Sequence, residues 1–442
     1  MRRKIYIETY GCQMNVADTE IINGILHGEG YEITSEIERA DAIFMNTCAI
    51  RDHAEQRVYG RLGNFDQLKK RNPHLVVGIV GCMAERLRTS LIEDRKLVDI
   101  VCGPDEYRRL PALIDAALHG EKGMRVQLSR TETYDDIEPL RTEGHSAWIS
   151  VMRGCDKFCT FCVVPFTRGR ERSRTLEGVV HETETLVSRG FREVTLLGQN
   201  VNSYNDEGRD FADLLAAVAV VDPTLRVRFT TSHPQDMSDK LIDTIAGTDN
   251  LCAFIHLPLQ SGSDRILELM NRTYSREHYM GRIARIRSAM PDAAISTDII
   301  AGFPTETEDD HRATLEAMEA VRYDSAFTFK YSPRENTKAW KMGDDVPDDV
   351  KGRRLQEIID LQRRHSYERN REMIGREEVI LIEGPSKRSD REWMGRTDTN
   401  KSVILPRDGY EAGDLVRVRI TSATSATLFG APIEEGALVL NA

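Results

Sequence analysis

Short apolar runs alternate with stretches of helical periodicity through the first 120 residues or so. Residues 4–9, 42–45 and 75–80 are apolar or alternating and predict strands, whereas residues 17–26 and 52–70 carry apolar side chains at helical spacing. A repeated strand–helix pattern predicts a parallel sheet with crossover helices. Ligands of such sheets gather beyond the carboxyl ends of the strands, so the residues that follow each strand are candidates for a binding site.

A longer series of the same kind follows a polar, acidic stretch at residues 129–145, which predicts a linker. The predicted strands are 148–152, 194–197, 227–230, 254–257, 295–300 and 326–331, and the predicted helices are 176–188, 211–220, 239–245, 277–289 and 309–321. Six such units predict a partial TIM-type (βα)6 barrel, a fold that carries its chemistry on the loops at the carboxyl ends of its strands.

Beyond residue 375 the pattern changes to short strands separated by Gly, Ser and Asn turns. A charged helical stretch at 349–373 precedes them and is expected to pack on the barrel. The five predicted strands are 378–382, 393–396, 402–405, 415–420 and 426–429, which suggest a small OB-like barrel. We therefore expect an α/β multidomain chain with a Rossmann- or flavodoxin-like domain at 1–122, a partial barrel at 141–372 and a small β-barrel at 374–437.

Composition narrows the class of protein. The 442 residues include 60 basic and 71 acidic side chains, and the net charge of −11 means that any RNA contact must come from local basic patches. Eight cysteines and strand-like sequence from Lys4 onward, without a secretory signal, predict a cytoplasmic enzyme, in which clustered cysteines indicate metal or redox chemistry more often than disulfides. The longest purely apolar run, 214–221, is too short to cross a bilayer, so no membrane association is expected.

Three cysteines follow the first predicted barrel strand at a spacing of x3 and then x2: Cys155, Cys159 and Cys162. Three thiolates on one loop would hold three irons of a 4Fe-4S cluster and leave the fourth open to a bidentate small molecule. Phe158 and Phe161 between them would shield the cluster from water. The alternative is a zinc knuckle, but structural zinc normally takes four ligands and no fourth Cys or His lies nearby.

A second set of cysteines stands at the predicted carboxyl ends of the first three strands: Cys12, Cys48 and Cys82. Three thiolates meeting at one edge of a sheet could hold another 4Fe-4S cluster with one open iron, although buried structural cysteines are the alternative. Cys102 also ends a predicted strand and is either a fourth ligand or a small packed hydrophobe, and Cys252 is expected in the core.

Several motifs resemble those of the radical S-adenosylmethionine (SAM) methylthiotransferase family over essentially the whole chain. They are TYGCQMN at 9–15, NTCAIR at 46–51, GCMA at 81–84, the three-cysteine loop, and CVVPFTRGRERSR at 162–174. The resemblance implies an auxiliary 4Fe-4S cluster on Cys12, Cys48 and Cys82, and a radical SAM 4Fe-4S cluster on the loop. It also implies that SAM serves twice, as methyl donor and as the source of a 5′-deoxyadenosyl radical. We further expect a flavodoxin- or ferredoxin-type electron donor and a monomeric enzyme.

Loops after the predicted barrel strands are the candidates for SAM contacts. By resemblance to radical SAM barrels, we expect contacts from Gly198, Gln199, Ser232, Gln260, Gly302 and Pro304, although loop Gly and Pro are often only turn residues. His233 and His256 are either general bases or satisfied structural histidines, and we assign them no chemistry.

Basic residues in two segments are candidates for RNA contact. Arg168, Arg170, Arg172 and Arg174 alternate, so an extended segment would present all four on one side, either to RNA or simply to solvent. The segments 384–390 and 394–398 resemble the TRAM domain, an RNA-binding module, and suggest contacts from Lys387, Arg388 and Arg396. Trp393 is either a stacking surface or barrel core.

The resemblance implies methylthiolation of C2 of N6-isopentenyladenosine beside the anticodon of tRNA. The TRAM-like segment favours RNA over protein, and Gln13-Met14 differs from the Pro-Lys of the family members that act on ribosomal protein S12. A methylthiotransferase that acts on protein remains a rival, as does a non-catalytic Fe–S protein that binds RNA and senses redox state. An RNA binder, however, has no need of an open iron.

Overall fold

A six-stranded parallel sheet forms the first part of the chain, with strand order β2-β1-β3-β4-β5-β6. Its elements are β1 Lys4–Tyr10, α1 Gln13–Gly28, β2 Glu32–Ile33, β3 Ala42–Thr47, α2 Asp52–Arg71, β4 Val76–Gly81, α3 Cys82–Leu87, α4 Ser90–Glu93, β5 Ile100–Cys102, α5 Leu110–Leu118 and β6 Gly123–Arg125. Helices cover both faces, so β3 and β4 are buried at every residue and lack polar alternation. The predicted parallel sheet is confirmed.

The computed structural model describes residues 2–48, 52–88, 90–93, 97–141, 144–407 and 409–433. Ala49, Ile50 and Arg51 of the NTCAIR motif lie outside these ranges, as do the last residues of the predicted third domain, 434–437.

Six parallel barrel strands form two three-stranded sheets, β13-β10-β7 and β14-β15-β16. A parallel bridge connects Val227 of β13 to Leu251, in the segment that leads into β14, and so brings the two sheets together as the predicted partial barrel. The elements are β7 Ser146–Ser150, β8 Met152–Arg153, α6 Val164–Thr167, β9 Arg172–Ser173, α7 Leu176–Ser188, β10 Glu193–Leu197, β11 Asn205–Asp206, β12 Arg209–Asp210, α8 Phe211–Ala219, β13 Arg226–Thr230, α9 Asp239–Ala246, β14 Phe254–His256, α10 Asp264–Leu269, α11 Arg276–Ala289, β15 Ala294–Ala301, α12 Glu308–Val321, β16 Ser325–Lys330, α13 Lys338–Lys341 and α14 Asp348–Arg371.

The stretch predicted to be a linker is instead packed against both flanking domains. It contains no helix or strand in its described residues, but Tyr134 is buried and stacks on Tyr107 with ring centroids 5.7 Å apart. Arg141 is also buried and donates to Glu20 and Glu182, both at 2.7 Å. The polar composition therefore reflects ion pairing across a domain interface, not exposure to solvent.

A closed five-stranded barrel ends the described chain, with strand order β17-β18-β19-β21-β20, as the sequence predicts. Its strands are β17 Glu377–Ser386, β18 Ser389–Arg396, β19 Ser402–Pro406, β20 Leu415–Ala423 and β21 Leu428–Pro432. Trp393 lies in its apolar core and is 6% exposed, so it is a core residue and not a free stacking surface.

This small barrel sits at the amino-terminal ends of the large barrel's strands. The contacts are Arg226 Nη1 to the Arg396 carbonyl at 2.8 Å, Arg228 Nη2 to the Thr397 carbonyl at 2.7 Å, the Ala253 N–H to Asp398 at 2.9 Å, and Lys401 Nζ to Asp324 at 2.7 Å. Arg226 opens β13, while Ala253 and Asp324 immediately precede β14 and β16. The opposite, carboxyl-terminal end of the large barrel is thus left to the loops described next.

Candidate functional site

The loop with three cysteines leaves the first barrel sheet through Gly154, whose backbone has a φ of +81°. The Gly154 N–H donates to Gln199 Oε1 at 2.6 Å, and the Cys155 N–H donates to the Gly169 carbonyl at 3.2 Å. A side chain at residue 154 would collide with the backbone of Arg170 and Gly169. The start of the loop is therefore fixed from one side by the end of β10 and from the other by the segment after α6.

The three thiols of this loop differ in their neighbours. Burial raises the pKa of both Cys155 and Cys162 to about 12. Cys159 instead accepts a hydrogen bond to Sγ from Arg272 Nη1 at 3.3 Å. The Arg272 guanidinium therefore places a positive charge beside one sulfur of the set, and the thiolate is the form of cysteine that binds metals.

The two loop aromatics have different environments. Phe161 packs edge-on against Phe303 with ring centroids 6.5 Å apart and belongs to an apolar cluster under the loop. Phe158 is 36% exposed and lies under the guanidinium of Arg170 at 5.4 Å. Only Phe161 therefore lies in the kind of apolar environment that the sequence predicted for both.

The second set of cysteines meets at the carboxyl edge of the first sheet. Cys12 precedes α1, Cys48 follows β3 and Cys82 is the first residue of α3. A Cβ at Gly11 would lie 2.9 Å from Cys48 Cβ, so glycine allows these two strand ends to approach closely. A hydrogen bond with Cys48 is the largest cause that lowers the pKa of Cys12 to about 6.

A buried arginine from the large barrel reaches this second set. Arg168 Nε donates to Cys82 Sγ at 3.1 Å and Arg168 Nη2 donates to Asp18 at 2.7 Å. Burial raises the pKa of Cys82, and the charge of Arg168 opposes that rise. Cys82 also packs against Val163, the residue after Cys162. The two cysteine sets are thus connected by one short segment of the chain.

Cys102 and Cys252 do not extend either set. Cys102 is fully buried in the apolar core of the first domain, and burial raises its pKa well above the usual value. Cys252 is 1% exposed beneath the small barrel. Both are packed residues, as expected for Cys252 and for one of the two alternatives for Cys102.

Unpaired polar atoms gather at the loops after β10 and β13. Gln199 Nε2, Asn200 Oδ1, Ser232 Oγ and His233 Nε2 are buried and have no hydrogen-bond partner among the described residues. Burial lowers the pKa of His233 to about 2, and its Nδ1 accepts from the Gln235 N–H, so the proton of the neutral ring is on Nε2. These loops therefore hold three unused donor groups and one unused acceptor, which suit a ligand with both a carboxylate and an ammonium group.

The same loops contact the cysteine loop. Asp236, in the loop after β13, accepts from Asn200 at 2.7 Å and forms an ion pair with Lys157 at 2.7 Å. The His233 ring lies edge-on to Tyr274, and Arg272 donates to the Tyr274 hydroxyl at 2.9 Å. The His233 ring, with its unpaired Nε2, is thus connected to the Cys159 sulfur through Tyr274 and Arg272.

The other residues predicted to contact SAM are packed closely against other parts of the protein. A Cβ at Gly302 would collide with Lys351, so the close approach that glycine permits there is made by a lysine side chain. At Gly198 a Cβ would lie 2.9 Å from Val201 Cα. Gln260 is 7% exposed and its backbone bridges to β15, and Pro304 is buried in the loop after β15. All six residues lie on loops at the carboxyl ends of barrel strands.

The arginine series does not share one exposed side, and this expectation was wrong. Arg168, Arg172 and Arg174 are 4–7% exposed because α6, β9 and the turn between them place these side chains against carboxylates from other segments of the chain. Their partners are Asp18, Asp105, Asp135 and Glu182. Arg168 therefore does not lie on a surface that RNA could reach, whereas Arg170 has 63% of its side chain exposed.

The basic residues of the small barrel are largely exposed. Lys387 and Arg388 occupy the exposed turn between β17 and β18, and Arg396 is half-buried in an ion pair with Glu383 at 2.7 Å. Sequence reasoning missed Arg272 and Asp18, because nothing in their local sequence distinguishes them from surface charges, and it gave no role to Arg153, two residues before Cys155. Only the fold brings Arg272 and Asp18 close to the cysteine sets.

The part of the chain that the structure describes contains neither a ready site for a single metal ion nor a membrane-spanning helix. No three Cys, His, Asp or Glu side chains there converge tightly enough to hold a single metal ion. No helix there has both the length and the apolarity needed to span a membrane.

The parallel-sheet domain, the partial barrel with its three-cysteine loop, and the small terminal barrel together define a three-part radical SAM enzyme. Family models match each part: the uncharacterized protein family UPF0004 at residues 4–103, the radical SAM superfamily at 149–318 and the TRAM domain at 371–433. The chain belongs to the family of the tRNA-2-methylthio-N(6)-dimethylallyladenosine synthases. It is 57% identical to that enzyme of Chloroherpeton thalassium, over 97% of this chain and 96% of the relative.

Further relatives and solved structures agree with this placement. The enzyme of the same name from Parabacteroides distasonis is 54% identical, over 98% of this chain and 96% of the relative. The fold is similar to that of the radical SAM methyltransferase TsrM from Kitasatospora setae, with a TM-score of 0.60 and 16% identity over 77% of each chain. The cobalamin-dependent radical enzyme OxsB gives 0.53 and 11% identity, over 80% of this chain and 56% of the other.

Proposed function

We propose that this enzyme methylthiolates C2 of N6-isopentenyladenosine beside the anticodon of tRNA, with SAM as methyl donor and radical source. The observation that carries the proposal is the pairing of two cysteine sets, one on the first sheet and one on the barrel loop, within a chain closely related to enzymes of that name. The cofactors are two 4Fe-4S clusters and SAM.

We assign Cys155, Cys159 and Cys162 as ligands of the radical SAM cluster, and Cys12, Cys48 and Cys82 as ligands of the auxiliary cluster. Thiolates are the usual ligands of such clusters. Two features support the fit: Arg272 and Arg168 each donate to one sulfur of a set, and neither set forms a disulfide. When bound and reduced, the clusters supply electron transfer to SAM and a site for the sulfur to be transferred.

The chain's own residues bind and orient SAM. Unpaired donors on Gln199, Ser232 and His233 suit its carboxylate, and the unpaired Asn200 oxygen suits its ammonium group. Gln199 has a second task, because its amide oxygen holds the Gly154 N–H at the start of the cysteine loop. We also assign Gly198, Gln260, Gly302 and Pro304 to the SAM site, on the strength of their positions on the same loops.

RNA contacts are assigned to the exposed Arg170, Lys387 and Arg388, and to Arg396. Each phosphate contact that is lost lowers affinity at all sequences and reduces the dependence of binding on salt. Reversing Lys387 and Arg388 to Glu should weaken tRNA binding and reduce the salt slope by about 2 if each contacts one phosphate. If the salt dependence of tRNA binding were equal in the variant and the parent, neither Lys387 nor Arg388 would contact a phosphate.

Nucleoside analysis tests the substrate. Mass analysis of tRNA from a strain that lacks the gene should show loss of 2-methylthio-isopentenyladenosine and accumulation of isopentenyladenosine, and expression of the chain should restore the former. Persistence of the modified nucleoside in the deleted strain would refute the proposal. A methylthiotransferase acting on protein would leave the tRNA nucleosides unchanged.

Domain bounds, oligomeric state, reductant and location are properties of the whole protein. We propose domains at 1–122, 141–372 and 374–437. The family matches support this division, although the TRAM match begins at 371, the last residue of α14. We propose that the enzyme acts as a monomer, because one chain supplies both cysteine sets. A flavodoxin- or ferredoxin-type protein would be its reductant and the cytoplasm, where tRNA is modified, its location.

A further inference from the structure

The segment between Cys162 and Arg170 touches both cysteine sets. Val163 packs on Cys82, and α6 packs on α3, the helix that Cys82 begins. At the end of the segment, Arg168 donates to Cys82 Sγ, and the next residue, Gly169, accepts a hydrogen bond from the Cys155 N–H. One continuous stretch of backbone thus sets the position of a thiol in each set.

The Arg168 guanidinium is held rigidly at this point. Asp18, which accepts from Arg168 at 2.7 Å, also accepts from Arg153 at 2.9 Å and from the Tyr107 hydroxyl at 3.2 Å. Asp18 is fully buried and the two arginines are 1–4% exposed. A side chain fixed by so many buried partners cannot turn away from Cys82 without breaking several of these contacts.

One donor of the same guanidinium remains unused. Arg168 Nη1 is buried and has no hydrogen-bond partner among the described residues. Buried donors are rarely left without an acceptor in native proteins. The sulfides of a cluster bound at Cys82 are anionic acceptors, so a cluster in that position would supply the kind of partner that this donor lacks.

We propose that Arg168 is a positioning residue for the auxiliary cluster, which fixes the Cys82 sulfur through an N–H···S hydrogen bond and raises the reduction potential of the cluster. Hydrogen bonds to cluster sulfurs and nearby charge are among the factors that set such potentials. The inference rests on the proposed function, because it takes Cys82 as a ligand. Arg272, which donates to Cys159 at 3.3 Å, has the corresponding place at the other set and serves as a matched control.

The test separates the two clusters. In full-length protein with Cys155, Cys159 and Cys162 all changed to Ala, reconstituted with iron and sulfide, only the auxiliary cluster remains. An EPR-monitored redox titration of this background should show a shift to a more negative potential with Arg168→Met, a smaller shift with Arg168→Lys, and none with Arg272→Met. In the background with Cys12, Cys48 and Cys82 changed to Ala, Arg272→Met should shift the potential and Arg168→Met should not.

Three results decide the matter. An Arg168→Met protein with full iron content and an unchanged potential would overturn the role of Arg168. If Arg168→Met does not assemble the cluster, Arg168→Lys decides: recovered iron with a shifted potential supports the role, and absent iron or an unshifted potential overturns it. Full iron after Cys82→Ala in the first background would instead refute the proposed ligand set, which is a distinguishable failure.

Discussion

Gly154→Ala tests whether the position of the cysteine loop depends on the segment after α6. A Cβ at residue 154 would lie 2.5 Å from the Arg170 carbonyl carbon and 2.6 Å from the Gly169 oxygen. Carbon atoms in contact are normally about 3.5–4.0 Å apart, so one backbone must move by about 1 Å. A positive φ adds strain of about 1–2 kcal/mol for a residue with a side chain.

A displacement of about 1 Å at a reacting group can cost about 100-fold in rate. We therefore expect Gly154→Ala to lower the rate of reductive SAM cleavage to 5′-deoxyadenosine by about 100-fold. The variant protein should also bind less iron than the parent. Gly208→Ala is the matched control, because Gly208 has a φ of +92° but open space around its Cβ position. It should lose only about 1–2 kcal/mol of unfolding free energy in urea and keep the rate.

The reasoning fails if Gly154→Ala retains the parent rate and iron content. Such a result would mean that the loop and residues 168–170 can separate without consequence for the site. If both glycine variants lose activity equally, backbone strain and not the clash would be responsible. Measuring 5′-deoxyadenosine with chemical reductant, without tRNA, keeps substrate binding out of the comparison.

Two further predictions concern stability. Arg228→Met should leave Glu193 unpaired in a buried site and deprive two backbone carbonyls of the small barrel of their hydrogen-bond donor. We expect this to lower the free energy of unfolding by about 3–5 kcal/mol and to make proteolysis near residue 375 faster than in the parent protein. Proteolysis at the parent rate would contradict the prediction. Burial raises the pKa of Glu85 from 4.5 to about 7, so folded apo-protein keeps a proton that the unfolded chain releases, and unfolding free energy should fall as pH rises from about 4.5 to 7. Glu85→Gln should flatten this fall in urea titrations at pH 5 and 8, and an unchanged slope would show that another group is responsible.

Sequence patterns were sufficient for the architecture because its main strands and helices have strong local signals, whereas the short strands β2 and β6 of the first sheet were not predicted. Helix 176–188 agrees at both ends, since Thr175 caps it and its apolar positions recur at helical spacing. The cysteines were equally clear, because a strand followed at once by Cys brings distant residues to one sheet edge. Expectations failed where burial decides: the arginines at 168, 172 and 174 look like a charged turn until the carboxylates that face them from other segments of the chain are known.

Residues that act through others were also beyond the reach of local patterns. Arg272 follows a short helix and has no motif of its own, yet it donates to Cys159. His233 resembles any structural histidine, and only its unpaired Nε2 in the folded chain distinguishes it. Such roles depend on side chains brought together from separate loops, so they require the coordinates.

The position of the small barrel sets the minimum length of an RNA that can contact both this barrel and the three-cysteine loop. That barrel contacts the amino-terminal ends of β13, β14 and β16, whereas the three-cysteine loop and the candidate SAM loops lie at the carboxyl-terminal ends of the large barrel's strands, so the two are separated by at least the height of the strands. A five-residue strand such as β10 spans about 16 Å at about 3.3 Å per residue. An RNA that contacts both the small barrel and these loops must therefore run along the outside of the large barrel. A shortened RNA hairpin would lose its contact with the small barrel, while its loop could still reach the three-cysteine loop.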